Sequence, residues 1–240
     1  MEGIKSKERV KQHGEVFTPD SIVNDMLDLT DKGLDTEDIW KYIDTTYLEP
    51  SCGNGNFLVR ILDRKLEKVQ KLPKDQQELA LLHAVSSIYA VDIQKDNVEE
   101  SRERLLNLIK TGTTELLELP DKEKLPFHFE KIELSEELEK SIKLILENNI
   151  MHGNMLTCKQ YEYINGNMPT GNDLVFCEYT WNNNLVQVDK YNFTKNLAVG
   201  TIIQALSKQL GSTDYHNISS LFESSTINND GYQEEDDDEF

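Results

Sequence analysis

The sequence predicts an α/β protein built on a mostly parallel sheet with helices on both faces. Three observations favour this class. Short apolar segments alternate with amphipathic segments of helical period, a glycine-containing turn joins one apolar segment to the next helix, and a second apolar segment ends in Asp92. Helices that connect parallel strands cover the sheet. The predicted domain spans residues 1–210, and residues 211–240 form a polar, acidic tail that we expect to be partly disordered.

The elements of the first half follow one another closely. DSIVNDMLDL predicts a helix capped by Asp20 or Ser21, with an apolar stripe formed by Ile22, Val23, Met26, Leu27 and Leu29. TYLEPSCGNGNFLVRIL predicts a strand, a turn and a helix. KDQQELALLHAVSS then predicts a helix, SIYAVDI a strand, and NVEESRERLLNLIK a further helix. Strand and helix alternate as a parallel sheet requires.

The second half has weaker signals. Residues 111–146 begin with a segment that contains two prolines and no clean period, which indicates an irregular insertion before the short helix SEELEKSIKLILE. NNIMHGNML predicts a third strand and NDLVFCEYTW a fourth. NNNLVQVDKYNFT predicts a hairpin or edge strand, and NLAVGTIIQALSKQL a last helix.

Composition restricts the class of protein. No apolar run approaches the roughly 20 residues of a membrane span, and the N-terminal stretch has no apolar signal region. Three cysteines without CxxC spacing predict reduced thiols in a cytoplasmic protein, and the scattered histidines predict no metal site. The net charge is −19, and only six of the 44 acidic residues lie in the run 234–239. An acidic body argues against strong independent DNA binding and allows a basic protein partner.

The segment LEPSCGNGNF carries the first candidate site. Gly53 and Gly55 let the backbone turn sharply, and the amides at the start of the next helix favour an anionic group. Glu49 is placed to accept from a ligand amine, and Asp92 from ribose hydroxyls. A GxG alone is more often a structural turn, and an isolated acid more often a surface residue. Their combination favours a nucleotide-like ligand.

Three ordered segments carry a resemblance to a known family. GEVFTPDSIVNDML, LEPSCGNGNFL and SIYAVDIQKDNVEESRERLL resemble consecutive motifs of S-adenosylmethionine-dependent DNA adenine-N6 methyltransferases, above all modification subunits of restriction-modification systems. The resemblance implies a Rossmann-like methyltransferase fold, truncated at its C-terminal strands, with S-adenosylmethionine as cofactor. The cofactor residues it implies are Phe17, Thr18 and Pro19 near the methionine end, Glu49, Pro50, Cys52, Gly53 and Gly55 around the methionine part, Asp92 on the ribose, Ile93 on the adenine, and Asn154 in place of an acid that the family carries.

The fourth predicted strand departs from the family pattern. The family has Asn or Asp, two prolines and an aromatic residue there, whereas this chain has Glu178, Tyr179, Thr180 and Trp181. Glu178 keeps an acceptor and Trp181 a ring that stacks on a flipped base, but the prolines that fix the backbone are missing. Two hypotheses follow. The chain is a small DNA adenine-N6 methyltransferase helped by a partner subunit, or it is an inactive interaction protein, such as an anti-restriction decoy or partner subunit with an acidic surface.

Overall fold

The computed structural model describes residues 5–112, 134–163, 167–182, 185–192 and 216–217, which form an α/β architecture. The helices are α1 (Lys7–His13), α2 (Asp20–Asp31), α3 (Ile39–Asp44), α4 (Asn56–Val69), α5 (Lys74–Ser86), α6 (Lys95–Thr111) and α7 (Glu136–Asn149). The strands are β1 (Tyr47–Glu49), β2 (Ile88–Asp92), β3 (Ile150–Asn154), β4 (Lys159–Tyr163), β5 (Asn167–Asp173), β6 (Val175–Asn182), β7 (Leu185–Asn192) and β8 (His216–Asn217).

The main sheet has five strands in the order β1-β2-β3-β4-β5. β1 pairs with β2 and β2 with β3 in parallel, with Tyr47 opposite Ile88 and Asp92 opposite His152. β4 and β5 are antiparallel additions to β3. The predicted α/β class is therefore confirmed, but the prediction of a mostly parallel sheet is wrong for the described residues. β4 and β5 are not predicted from the sequence, because their polar residues lack the apolar alternation of a half-buried strand.

The predicted fourth strand does not join the main sheet. β6 forms a separate antiparallel sheet with β7 and β8, and Trp181 lies opposite Val186 in its register. This sheet contacts α5 and α7. Of the two alternatives predicted for residues 182–194, a hairpin or an edge strand, the hairpin agrees with this arrangement, because β7 pairs with β6 on one side and with β8 on the other. Two residues of the predicted tail, His216 and Asn217, pair with β7. Residues 113–133 of the insertion predicted over 111–134, the predicted helix 196–210 and the rest of the tail lie outside the described residues.

The core lies around α4, whose buried residues contact α2, α3, α5 and α6. α2 contributes Val23 and Leu27 to this core, whereas Ile22, Met26 and Leu29 of its predicted apolar stripe remain exposed. Pro19 rather than Asp20 or Ser21 is the residue before the first turn of α2, and it makes no side-chain cap. Within the described part of the chain, no helix is long and apolar enough to cross a membrane.

Candidate functional site

The carboxyl ends of the three parallel strands bring the predicted polar residues together. β1 ends at Glu49, β2 at Asp92 and β3 at Asn154. Because the strands run in the same direction, these ends lie along one edge of the sheet, where α/β proteins commonly bind ligands. The turn that follows β1 reaches across this edge, since the Cys52 amide donates to the carbonyl oxygen of Val91 over 3.0 Å.

Backbone angles and close contacts within the protein require glycine at two positions of the turn. Gly53 has φ +53° and Gly55 φ +87°, a backbone region that side chains disfavour. A Cβ at position 53 would lie 3.0 Å from the ring of Phe17, and one at position 55 would lie 2.8 Å from Ser101 Oγ. The space beside both glycines is therefore filled by the chain itself. The glycines fix the turn and seat Phe17, and α4 begins directly after them at Asn56.

Asp92 links the turn to the second strand. Its Oδ2 accepts the amide of Gly53 over 2.8 Å, and its Oδ1 accepts the amide of Gln94 over 2.8 Å and Asn97 Nδ2 over 3.2 Å. Burial raises the pKa of Asp92, and these three hydrogen bonds oppose that rise. A carboxylate accepts about four hydrogen bonds, so the arrangement leaves room for about one more, on Oδ2.

A charged cluster that the sequence analysis missed lies beside Asp92. Arg9 Nη2 donates to Glu15 Oε1 over 2.6 Å, and Arg9 Nη1 to Asp96 Oδ2 over 2.5 Å. Asn97 Nδ2 also donates to Glu15 Oε1, over 2.7 Å. Although burial raises it, hydrogen bonds from Arg9 and Lys5 lower the pKa of Asp96 to about 2. The cluster fastens α1 to the start of α6 and holds Asn97 against Asp92.

The predicted FTP residues lie against the glycine turn. Phe17 contacts Gly53, and the Thr18 carbonyl oxygen accepts Asn56 Nδ2 over 2.9 Å. Pro19 directly precedes α2. Phe17 and Gly53, 36 positions apart in the chain, are therefore neighbours in space.

The other residues of the turn have distinct surroundings. Glu49 accepts the amide of Ser51 over 3.1 Å, and burial raises the pKa of Glu49. Pro50 is exposed. Cys52 is buried with its Sγ 3.8 Å from Ser101 Oγ, and burial raises the pKa of its thiol, so it is an inert thiol at neutral pH.

Two further predicted cofactor residues follow β2 and end β3. The carbonyl oxygen of Ile93 lies 3.1 Å from His152 Nε2. Asn154 Oδ1 accepts the amide of Leu156 over 2.9 Å, and its Nδ2 donates to Tyr161 Oη over 3.2 Å. Asn154 therefore shapes the turn between β3 and β4 in this structure.

Glu178 and Trp181 lie on β6, in the separate antiparallel sheet. The Trp181 ring stacks on His83 with 4.8 Å between centroids, and its Nε1 donates to Ser86 Oγ over 3.2 Å. Ser86 ends α5 before β2, whereas Asp92 ends β2, and the strand from Ile88 to Asp92 alone spans roughly 13 Å at about 3.3 Å per residue. Glu178 is exposed and faces Asp189 in the β6–β7 register. The structure therefore places Trp181 against α5 and not at the glycine turn.

Two residues of α6 support the turn from behind and were not predicted. Arg104 Nη1 donates to the carbonyl oxygen of Asn54 over 2.5 Å and to Asn56 Oδ1 over 2.9 Å. Ser101 Oγ donates to the carbonyl oxygen of Gly53 over 3.1 Å. Ser101 and Arg104 are three residues apart and share one helix face with the buried Val98 and Leu105. Because Ser101 and Arg104 lie on that apolar face, the helical period of the sequence distinguishes them from polar residues that face solvent.

These features define an α/β protein with a buried acid, a glycine turn and a charged cluster at the carboxyl ends of its parallel strands. Comparisons with protein-family models, curated proteins and solved structures gave no match for the chain. In the described residues, no group of three or more His, Cys, Asp or Glu side chains is placed to hold a metal ion.

Proposed function

We propose that the chain binds S-adenosylmethionine at the carboxyl ends of β1 and β2, as a methyltransferase-like protein that does not methylate DNA by itself. One observation carries the proposal. The three segments that resemble adenine-N6 methyltransferase motifs meet at Gly53, whose amide donates to Asp92 over 2.8 Å and whose α-carbon faces the ring of Phe17. Motifs that form one cofactor site in that family are neighbours here.

The residues at this edge suit the parts of the cofactor. Asp92 has an acceptor position left on Oδ2 for a ribose hydroxyl, and Ile93 follows it as an apolar surface for the adenine. Asn54 Oδ1, in the turn, is buried and has no hydrogen-bond partner among the described residues. A buried polar atom of this kind favours a ligand donor. Bound there, the cofactor would supply an activated methyl group.

The charged cluster limits access to Asp92. Asn97 occupies one of its oxygens, and Arg9 and Glu15 hold Asn97 in place. A ribose hydroxyl on Oδ2 alone leaves Asn97 in place, whereas a ribose that engages both oxygens must displace Asn97 and rearrange this cluster.

Two features argue that methyl transfer is not performed by this chain alone. Of the candidate target-base residues, Trp181 lies toward the amino end of β2 instead of beside Asp92, and Glu178 is exposed on β6 opposite Asp189. The net charge of −19 opposes binding of a polyanion. Of the two hypotheses from the sequence, the arrangement favours a cofactor-binding partner or regulatory protein over a self-sufficient methyltransferase.

Isothermal titration calorimetry with S-adenosylmethionine tests the proposal. We expect the wild-type chain to bind, and Asp92→Ala to bind at least about tenfold more weakly, a loss of about 1.4 kcal/mol. Asp189→Ala is the matched control, because it removes a buried carboxylate from β7 and leaves the edge unchanged. Absence of wild-type binding at millimolar cofactor, or equal affinities in the two variants, contradicts the proposal.

Nucleoside mass spectrometry tests the second part. DNA incubated with the chain and labelled S-adenosylmethionine is expected to contain no labelled N6-methyladenine. Label that disappears in Trp181→Ala would instead establish a self-sufficient enzyme.

A further inference from the structure

The outer side of β1 carries an apolar surface next to an open sheet edge. We call it the β1-edge surface and define it by Ile22, Met26 and Leu29 of α2 and by Leu48 of β1. These side chains are 48%, 49%, 66% and 43% exposed. They are four of the six large apolar side chains that are exposed in the described part of the chain. Clustered apolar exposure of this kind marks interaction sites.

The apolar face of α2 is wider than the part of it that α4 covers. Ile22, Met26 and Leu29 follow the i, i+4, i+7 spacing of one helix face, beside the buried pair Val23 and Leu27. α4 covers only the side of α2 that carries Val23 and Leu27. The remaining apolar arc has no cover among the described residues.

The backbone of β1 offers hydrogen bonds on the same side. β1 is an edge strand, and its one partner among the described strands is β2. The Tyr47 amide donates to the Ser87 carbonyl oxygen over 2.9 Å, so Tyr47 faces β2. In a parallel pair successive residues face opposite sides, so the N–H and C=O of Leu48 point to the open edge. An added strand can use both groups.

A cavity of about 180 Å³ lies between β1 and α2. Its lining includes Met26, Leu48, Tyr47, Glu49, Phe57 and Ile61. Cavities near 150 Å³ with apolar walls hold a benzene ring, so this one accommodates a single large apolar side chain.

The acidic charge of the chain favours a basic partner over a second copy of the chain. Asp25 is exposed on α2 between Ile22 and Leu29, and Glu49 lines the cavity; neither forms an ion pair with a described cation. A second copy of the chain carries the same net charge of −19 and is repelled. A basic partner is attracted.

We propose that the β1-edge surface docks an extended, basic segment of another polypeptide. The segment adds to β1 as a strand through Leu48, places one large apolar side chain in the cavity, and carries Lys or Arg residues beside it. This proposal does not depend on cofactor binding.

Fluorescence anisotropy with a labelled synthetic peptide, Lys-Thr-Lys-Val-Phe-Val-Lys-Thr-Lys, tests the proposal. We expect a dissociation constant of about 100 μM or less for the wild-type chain, and binding at least about tenfold weaker when Glu replaces every Lys of the peptide. Leu48→Pro removes the outward N–H without touching the β2 pairing, and Met26→Lys places a cation at the cavity. Both are expected to weaken binding at least tenfold, or by about 1.4 kcal/mol.

The control is Leu156→Lys, which changes a fully exposed leucine on the turn between β3 and β4 and should leave binding unchanged. Thermal unfolding of each variant confirms that it folds. No binding at 1 mM peptide, or binding indifferent to Met26→Lys and Leu48→Pro, overturns the proposal.

Two measurements on the chain alone identify other occupants. A dimer in sedimentation that Met26→Lys dissociates means that a second copy covers the surface, which overturns the proposal. Slow hydrogen exchange at the Leu48 amide of the isolated monomer means that the chain already covers its own edge, which also overturns it.

Discussion

Gly55 and Gly171 have the same backbone angle φ but differ in the space beside the α-carbon. Both have φ +87°, but a Cβ at position 55 would meet Ser101 Oγ at 2.8 Å, whereas one at position 171 would meet nothing within 4 Å. Gly55→Ala is expected to lower the free energy of unfolding by about 2–4 kcal/mol, and Gly171→Ala by about 1 kcal/mol. Urea unfolding measures both. Ser101→Gly should restore part of the Gly55→Ala loss, and equal losses at the two glycines would show that the contact with Ser101 is irrelevant.

Lys65 is fully buried and donates to the carbonyl oxygens of Ile43 and Thr45 and to Ser87 Oγ over 2.5–2.6 Å. Burial lowers the pKa of Lys65 to about 7, against about 10.4 in an unfolded chain. Between these values the unfolded state binds more protons, so the contribution of Lys65 to stability grows with pH above 7 and is lost as the pH falls back to 7.

Lys65→Met removes this titration. Urea unfolding of the wild type and the variant at pH 7, 8 and 9 is expected to show a stability difference, wild type minus variant, that rises with pH. A constant difference over this range would mean that Lys65 keeps its ordinary pKa in the folded chain.

At the scale of elements, Trp181 joins the β6–β7 hairpin to α5. It stacks on His83, and His83 Nδ1 in turn lies 2.6 Å from Asp44 Oδ1 on α3. Trp181→Ala is expected to lower the free energy of unfolding by about 2–3 kcal/mol and to leave affinity for S-adenosylmethionine unchanged. Urea unfolding and calorimetry measure the two effects, with the exposed Glu178→Gln as a control without effect on either. Loss of cofactor affinity with unchanged stability would place Trp181 in the binding site.

The elements that the sequence predicted well have strong local signals. β1, β2 and β3 and the helices α4, α5 and α6 follow from apolar period and from the glycine turn, and Asp92 follows from its position at a strand end. The sheet that β6 joins could not be predicted from the sequence. An apolar strand can pair with β1 or form its own hairpin, and its local sequence pattern is the same in both cases. The Arg9–Asp96 contact spans 87 positions and has no local signature.

At the scale of the whole molecule, the carboxyl ends of β1 and β2 and the outer side of β1 carry different proposed ligands. Glu49 connects them, because it is the last residue of β1 before the glycine turn and also lines the cavity beside Leu48. The acidic charge of the chain suits a basic protein partner at this surface and opposes DNA. The two proposals together describe a cofactor-binding unit that acts within an assembly.

Hydrogen exchange with and without saturating S-adenosylmethionine tests the central claim most directly, because it reports where the cofactor binds. The account predicts slower exchange in peptides that cover residues 47–56 and 88–97, and no change over residues 175–182. Protection confined to residues 175–182, or no protection at saturating cofactor, would contradict the assignment of the site to the carboxyl ends of β1 and β2.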